Sequence, residues 1–132
     1  MTKAETAKKA KKEAKKIRDL FKKLAVRDEE IRMLEPVIQN TSWMKVKLEE
    51  ALDSEEMGSL VVEYDNGGGQ TGVRENPWFK AYEALWKSYM LGMGRILDAL
   101  PDEAAEAAGK ELQAEAPQTV LEMIRAKRRK DA

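Results

Sequence analysis

Nine cations crowd residues 8 to 23: Lys8, Lys9, Lys11, Lys12, Lys15, Lys16, Arg18, Lys22 and Lys23. Side chains of this type at this density can meet successive phosphates of a nucleic acid. Counterion release then makes the affinity steeply salt-dependent. Such contacts orient a protein on a duplex and specify no base sequence. The same lysines also fit a solubilising arm, or one that pairs with an acidic segment of a neighbouring subunit.

Other chemistries have fewer residues to work with. The chain holds no histidine and no cysteine. It therefore has no imidazole base, thiolate nucleophile, disulfide or cysteine-ligated zinc. Carboxylates are plentiful, but Asp28, Glu29 and Glu30 read as the acidic first turn of a helix, and Glu55 and Glu56 as an exposed helix exit. Neither group has the spacing of an acid/base pair or a metal site. Gly67, Gly68 and Gly69 lack the GxxxxGK[ST] arrangement that cradles phosphates, so they read as a turn. The expectation is a non-enzyme with no metal and no cofactor.

Two further groups of residues are candidates for binding. Trp43, Trp78, Phe79, Tyr82, Trp86 and Tyr89 offer rings for base stacking, a use that also needs a positive groove beside them. Most of them share a helical period with Leu and Met, so core or subunit interface is the favoured reading. At the other end, Leu121 and Ile124 followed by Arg125, Lys127, Arg128 and Arg129 read as a docking segment for a partner.

The elements that must position these residues follow from charge and periodicity. The 132 residues carry 24 basic and 24 acidic side chains. Their formal balance of zero hides a segregation, +8 over residues 1–27 and −8 over residues 28–66. Such asymmetry bears on partners and assembly more than on fold. No apolar signal segment follows the lysine-rich start, and no run is long enough to span a bilayer.

Residues 1–27 read as one helix. Thr2 and Glu5 have the spacing of a capping box. Ile17, Leu20, Phe21 and Leu24 form one apolar face. The first dozen residues lack an apolar stripe, so they are expected to be loosely ordered without a partner. A second helix spans about 29–52, with Leu34, Ile38, Met44 and Leu48 on its apolar stripe. Pro36 falls inside it, so the segment is either a kinked helix or a turn with a helix starting near 36. The kinked helix is favoured because the apolar register runs through the proline.

Residues 60–64, LVVEY, suit a short strand that could pair with about 70–74 across a stretch with four glycines in eight residues. Asn76 and Pro77 then mark a helix start. Phe79, Tyr82, Trp86, Tyr89 and Met93 follow with helical spacing, and Pro101 closes the run. The two long helices have equal expected lengths of about 36 Å. Gly92 and Gly94 anticipate close approach by a neighbouring backbone.

The expected fold is mainly α. A long antiparallel helical hairpin is interrupted by a short β-hairpin or glycine-rich connector, with peripheral N- and C-terminal helices. Three parts are expected: a basic N-terminal helical arm (1–27), a helical oligomerisation core (28–101) containing the connector 58–76, and a C-terminal helical docking segment (102–132). The proposed subunit interface is Leu34, Ile38, Met44, Leu48, Trp78, Phe79, Tyr82, Trp86, Tyr89 and Met93.

The segment GGGQTGVRENPWFKAYEALWKSYMLGMGRILDALP, preceded by NTSWMKVKLEEAL, resembles small terminase subunits of tailed phages and prophages, the P27-like group above all. The likeness covers roughly residues 15–101, and its most useful local feature is GQ…R.NP before an aromatic helix ending in LP. The resemblance implies a non-catalytic protein that binds double-stranded viral DNA and assembles as a homo-oligomer, often a ring. It would present DNA to a large terminase subunit in the host cytoplasm, with a possible portal contact and no membrane association. Two departures stand out: residues 1–27 offer one helix where many such subunits carry a helix-turn-helix module, and no serine/arginine-rich continuation follows Pro101. The alternative is a helical oligomeric adaptor or virion-associated interaction module that binds no DNA.

Overall fold

The structure is a computed structural model, which describes residues 2–65, 67–69 and 71–117. Among the described residues the fold is mainly helical, with four helices and a small two-stranded antiparallel sheet. In chain order these are α1 (Lys3–Lys23), α2 (Asp28–Leu52), β1 (Val61–Asp65), β2 (Thr71–Glu75), α3 (Pro77–Asp98) and α4 (Asp102–Glu115). One 3₁₀ turn, Glu55–Gly58, leads from α2 into the hairpin.

The capping box forms at the start of α1. Thr2 Oγ1 accepts from the Glu5 amide at 3.1 Å, and the Glu5 carboxylate accepts from the Thr2 amide. The end of α1 is equally well defined. The Val26 amide donates to Phe21 O at 2.9 Å and the Ala25 amide to Lys22 O at 3.1 Å, with Ala25 at φ 61°. This is the doubly bonded C-terminal cap that usually places glycine in the left-handed position. Alanine tolerates it here because the cap buries Val26 and Phe21 together.

Helix α1 runs back along α2, with Thr6 near Glu50, Glu13 near Lys45 and Arg18 near Glu35. Its first dozen residues are regular helix, contrary to the loose order expected of them. Thr6, Ala14 and Phe21 are buried, with Ala10 and Ile17 half-buried between them. The spacing of that set is helical, but three of its five members are small. They let α1 approach α2 closely, which an apolar-stripe reading does not register.

Helix α2 is continuous from Asp28 through Pro36, so the alternative start near residue 36 does not occur. Proline there removes one amide donor to the preceding turn. The acidic first turn, Asp28 to Glu30, faces the positive end of the helix dipole. Helix α3 opens as expected: the Asn76 side chain accepts from the Trp78 amide at 3.0 Å and Pro77 occupies the first turn.

Two adjoining clusters make the core. The first joins Phe21 of α1, Ile31, Leu34 and Ile38 of α2, Ile96 of α3, Leu100, and Ala104 and Ala108 of α4. The second joins Met44 and Leu48 of α2 to Phe79, Tyr82, Tyr89 and Met93 of α3, with Met57 and Leu112. The early half of α2 thus meets the late half of α3 and the reverse, so the two helices are antiparallel. Because α1 and α4 both supply fully buried side chains, neither is peripheral. The boundaries at residues 27 and 102 separate helices that share one core.

The strands pair one residue later than expected, Val61 with Glu75 through Asp65 with Thr71. Gly67 and Gly69 adopt φ 81° and 77° in the turn, where Asp65 Oδ1 accepts from the Gly67 amide. The Tyr64 ring lies over Gly72, directly opposite it, in the space a β-carbon would take. Gly92 is packed against Thr41 of α2, so the close approach expected there is made by a side chain; nothing lies within 4 Å of a β-carbon at Gly94.

Candidate nucleic-acid interface

Helix α1 buries one face and leaves its lysines on the other. At about 100° per residue, Lys12, Lys16 and Lys23 fall opposite the buried line of Ala14 and Phe21, with Lys8, Lys9 and Lys15 flanking them and Lys11 and Lys22 nearer its edge. All eight are exposed. They span about 22 Å of helix at 1.5 Å per residue. Lys15 pairs with Asp19 at 3.9 Å and Lys16 with Glu13 at 3.4 Å. Lys8, Lys9, Lys11, Lys12, Lys22 and Lys23 enter no salt bridge among the described residues. Arg18 differs: it is half-buried and held by Glu35.

That face is anchored by polar contacts on its inner side. Lys45 of α2 has a side chain only 11% exposed and sits 2.8 Å from Glu13 of α1, 3.6 Å from Glu49 and 3.9 Å from Glu115 at the end of α4. One ammonium therefore ties three helices, and its carboxylate partners offset the cost of burying it. Burial by itself would raise the Glu13 carboxyl. The hydrogen bond and charge of Lys45, with Lys16 adding, outweigh that and hold it below its ordinary value. Thr6 Oγ1 donates to Glu50 Oε1 at 2.6 Å. Slight desolvation of Glu50 is likewise outweighed by Thr6 and Lys47, so its carboxyl is also lowered. Burial pushes the Tyr89 phenol well above its usual value, and the carboxylates of Glu13, Glu49 and Glu115 add to the shift.

The charge segregation along the chain is partly cancelled by this packing. Acids from the negative segment (Glu35 and Glu50) serve the inner side of α1, while its lysines remain outward. Lys45, Glu13 and Thr6 were not singled out from the sequence. The readable trace was the spacing of Thr6, Ala10, Ala14, Ile17 and Phe21, four, four, three and four residues apart.

The residues expected at a subunit interface take different places. Leu34, Ile38, Met44, Leu48, Phe79, Tyr82, Tyr89 and Met93 are all buried within this chain. Their stripes are satisfied by α1, α4 and each other, leaving them unavailable to another subunit. Trp86 is half-buried, its Nε1 donating to Pro117 O at 3.3 Å. Trp78 is 52% exposed, and Trp43 is also exposed, at 44%. The expected docking residues Leu121, Ile124, Arg125, Lys127, Arg128 and Arg129 lie outside the described residues.

Among the described residues, no cluster of three or more acidic side chains could hold a metal ion, and no helix is long and apolar enough to cross a membrane. Comparison with protein-family models, with curated proteins and with solved structures finds no match.

Proposed function

We propose that this chain is a non-catalytic small terminase subunit that binds double-stranded viral DNA through the outer face of α1. It would serve a large terminase subunit, which supplies the chemistry of packaging. The observation that supports this reading is the row of unpaired lysines on a helix whose opposite face is locked into the core. A rigid row keeps its ammonium groups spread along about 22 Å, matching a run of phosphates rather than a single anion. Electrostatic contact of this kind gives affinity and orientation and leaves sequence choice to other groups.

Self-association belongs to the same proposal, with its contacts moved. The buried stripes are spent inside the subunit, so a homo-oligomer, including a ring, would form through the exposed apolar residues of the hairpin and through Trp78.

The test combines light scattering after size-exclusion chromatography with duplex binding across a salt series. Replacing the unpaired Lys8, Lys9, Lys12 and Lys23 by Gln should weaken duplex binding and reduce the log–log salt slope by about 3 to 4. Binding that keeps its slope in this variant, or no binding at low salt with the large subunit present, overturns the proposal. The second reading, a helical oligomeric adaptor without DNA binding, is favoured by one observation: Leu60, Val61 and Val73 are all at least half exposed around one small hairpin. Oligomers that form normally while ignoring DNA would select it.

A further inference from the structure

A groove of about 540 Å³ runs between α1 and α2 beside the lysine row. It is within the size range of small-ligand clefts, roughly 300–1,000 Å³. Trp43 lines it from α2, and α1 answers with Ala7, Ala10 and Ala14. Alanines give a low wall, so no large side chain of α1 covers the indole. Lys11 and Arg18 also line the groove, as do the side-chain amides of Gln39 and Asn40.

Trp43 is set apart from the rings that fill the core. Phe79, Tyr82 and Tyr89 are buried in the core. Trp43 points away from that core, with Lys47 Nζ 5.7 Å from its ring centroid. Sequence reading left a stacking surface without a positive groove beside it. The fold supplies the missing charge from a helix some thirty residues earlier.

We infer that this groove receives an unstacked nucleobase, making single-stranded nucleic acid a ligand of the protein. The indole provides the stacking face, the amides of Gln39 and Asn40 can donate to and accept from a base edge, and Lys11 with the neighbouring lysine row meets the phosphates on either side. Glu35 pairs with Arg18 and accepts from Gln39 Nε2 at 3.1 Å, so its charge is offset and Gln39 keeps its Oε1 and second N–H for a base edge. Stacking platforms flanked by cations characterise single-strand binding, which tolerates any sequence because every base has a π-face. An apolar helix from a protein partner fits the groove less well, because its border is cationic and carries amides.

The inference rests on reading α1 as a polyanion surface, and one experiment separates the two. In the full chain, Trp78→Phe with Trp86→Phe leaves Trp43 as the sole tryptophan reporter; its melting curve is checked against the parent. Short oligothymidylate, a duplex of equal length and inorganic polyphosphate are titrated in turn at low salt. Oligothymidylate should quench Trp43 emission, and polyphosphate should not. In the otherwise unaltered chain, Trp43→Ala should weaken oligothymidylate binding by about 5- to 150-fold, Trp43→Phe should restore most of it, and duplex binding should be unchanged in both. Duplex binding without quenching by oligothymidylate, or an oligothymidylate affinity indifferent to Trp43→Ala, overturns the groove and spares the α1 reading. Equal quenching by polyphosphate also overturns it, because charge alone would then suffice. Failure of both nucleic acids to bind removes both readings.

Discussion

The helical body and the β1–β2 hairpin draw on similar residues and place them oppositely. In the body, four amphipathic helices close on one another, so Ile38, Leu48, Phe21 and Ile96 lose all contact with solvent. In the hairpin, Val61 and Val73 share one face and remain 51% and 63% exposed. A pair of five-residue strands has too little surface to cover itself. Even the glycines follow this division, since Gly92 admits Thr41 from another helix while Gly72 lies under Tyr64 of its own hairpin. Apolar content therefore does not by itself mark a contact surface; only apolar groups that the chain's own elements leave uncovered are free to make one.

Asn76 joins the two regions. Its amide group is fully buried and donates to Glu56 O and Ser59 O, its Oδ1 caps α3, and its backbone amide donates to Leu60 O at 2.9 Å. The hairpin is held to the body by this residue more than by apolar packing.

The sharpest way to break the contrast is Phe21→Ala. If α1 belongs to the body, the variant should lose about 3–5 kcal/mol, the range for deleting a buried phenylalanine, measured by urea denaturation. A separable arm would leave the midpoint unchanged. Asn76→Ala should come next. It removes a fully buried side chain that serves two carbonyls and a helix cap, costing about 2–3 kcal/mol, and it should raise amide exchange in the hairpin more than in α2.

Two glycines on one helix give a smaller and signed test. Gly92→Ala places a methyl against Thr41 and should destabilise by about 1–3 kcal/mol. Gly94→Ala meets nothing and should stabilise by about 0.4–1 kcal/mol. Equal effects would mean that α2 and α3 do not approach at Gly92.

The ion cluster around Lys45 makes stability depend on acid. The folded Glu13 carboxyl lies below its ordinary value of 4.5. Its contribution is therefore fully present above that value and is lost as pH falls through the lower folded one. Urea midpoints should hold down to about pH 5 and decline from there to about pH 3, and Glu13→Gln should flatten part of that decline. The smallest effect belongs to the hairpin. Val73→Thr should shift monomer stability by no more than about 0.5 kcal/mol, while any self-association through this face should weaken. A large loss of stability would mean that the hairpin is packed after all.

Much of the architecture was legible in the chain itself. The long helices over α2 and α3, the Asn76–Pro77 helix start, the capping box at Thr2 and the glycine turn all arise from local chemistry. Periodicity, a side-chain acceptor beside an orphan amide, and a backbone that only glycine adopts cheaply each act within a few residues. The basic face of α1 was legible for the same reason, because helical spacing alone separates its lysines from Phe21.

Only the tertiary structure decided what each face meets. Ala10, Ala14, Ala104 and Ala108 carry little hydrophobic signal of their own. They become packing surface when another helix comes close enough to use their small size, which is how α1 and α4 joined the body. The aromatic helix looked like a surface for other subunits because its partners were distant in sequence. Trp43 shows the converse: it was grouped with rings favoured for core or interface, yet it stands off the apolar stripe of α2, and a wall of alanines on α1 leaves it open beside a row of lysines. Spacing along a helix determines which residues share a face, and the three-dimensional neighbours determine whether that face is filled.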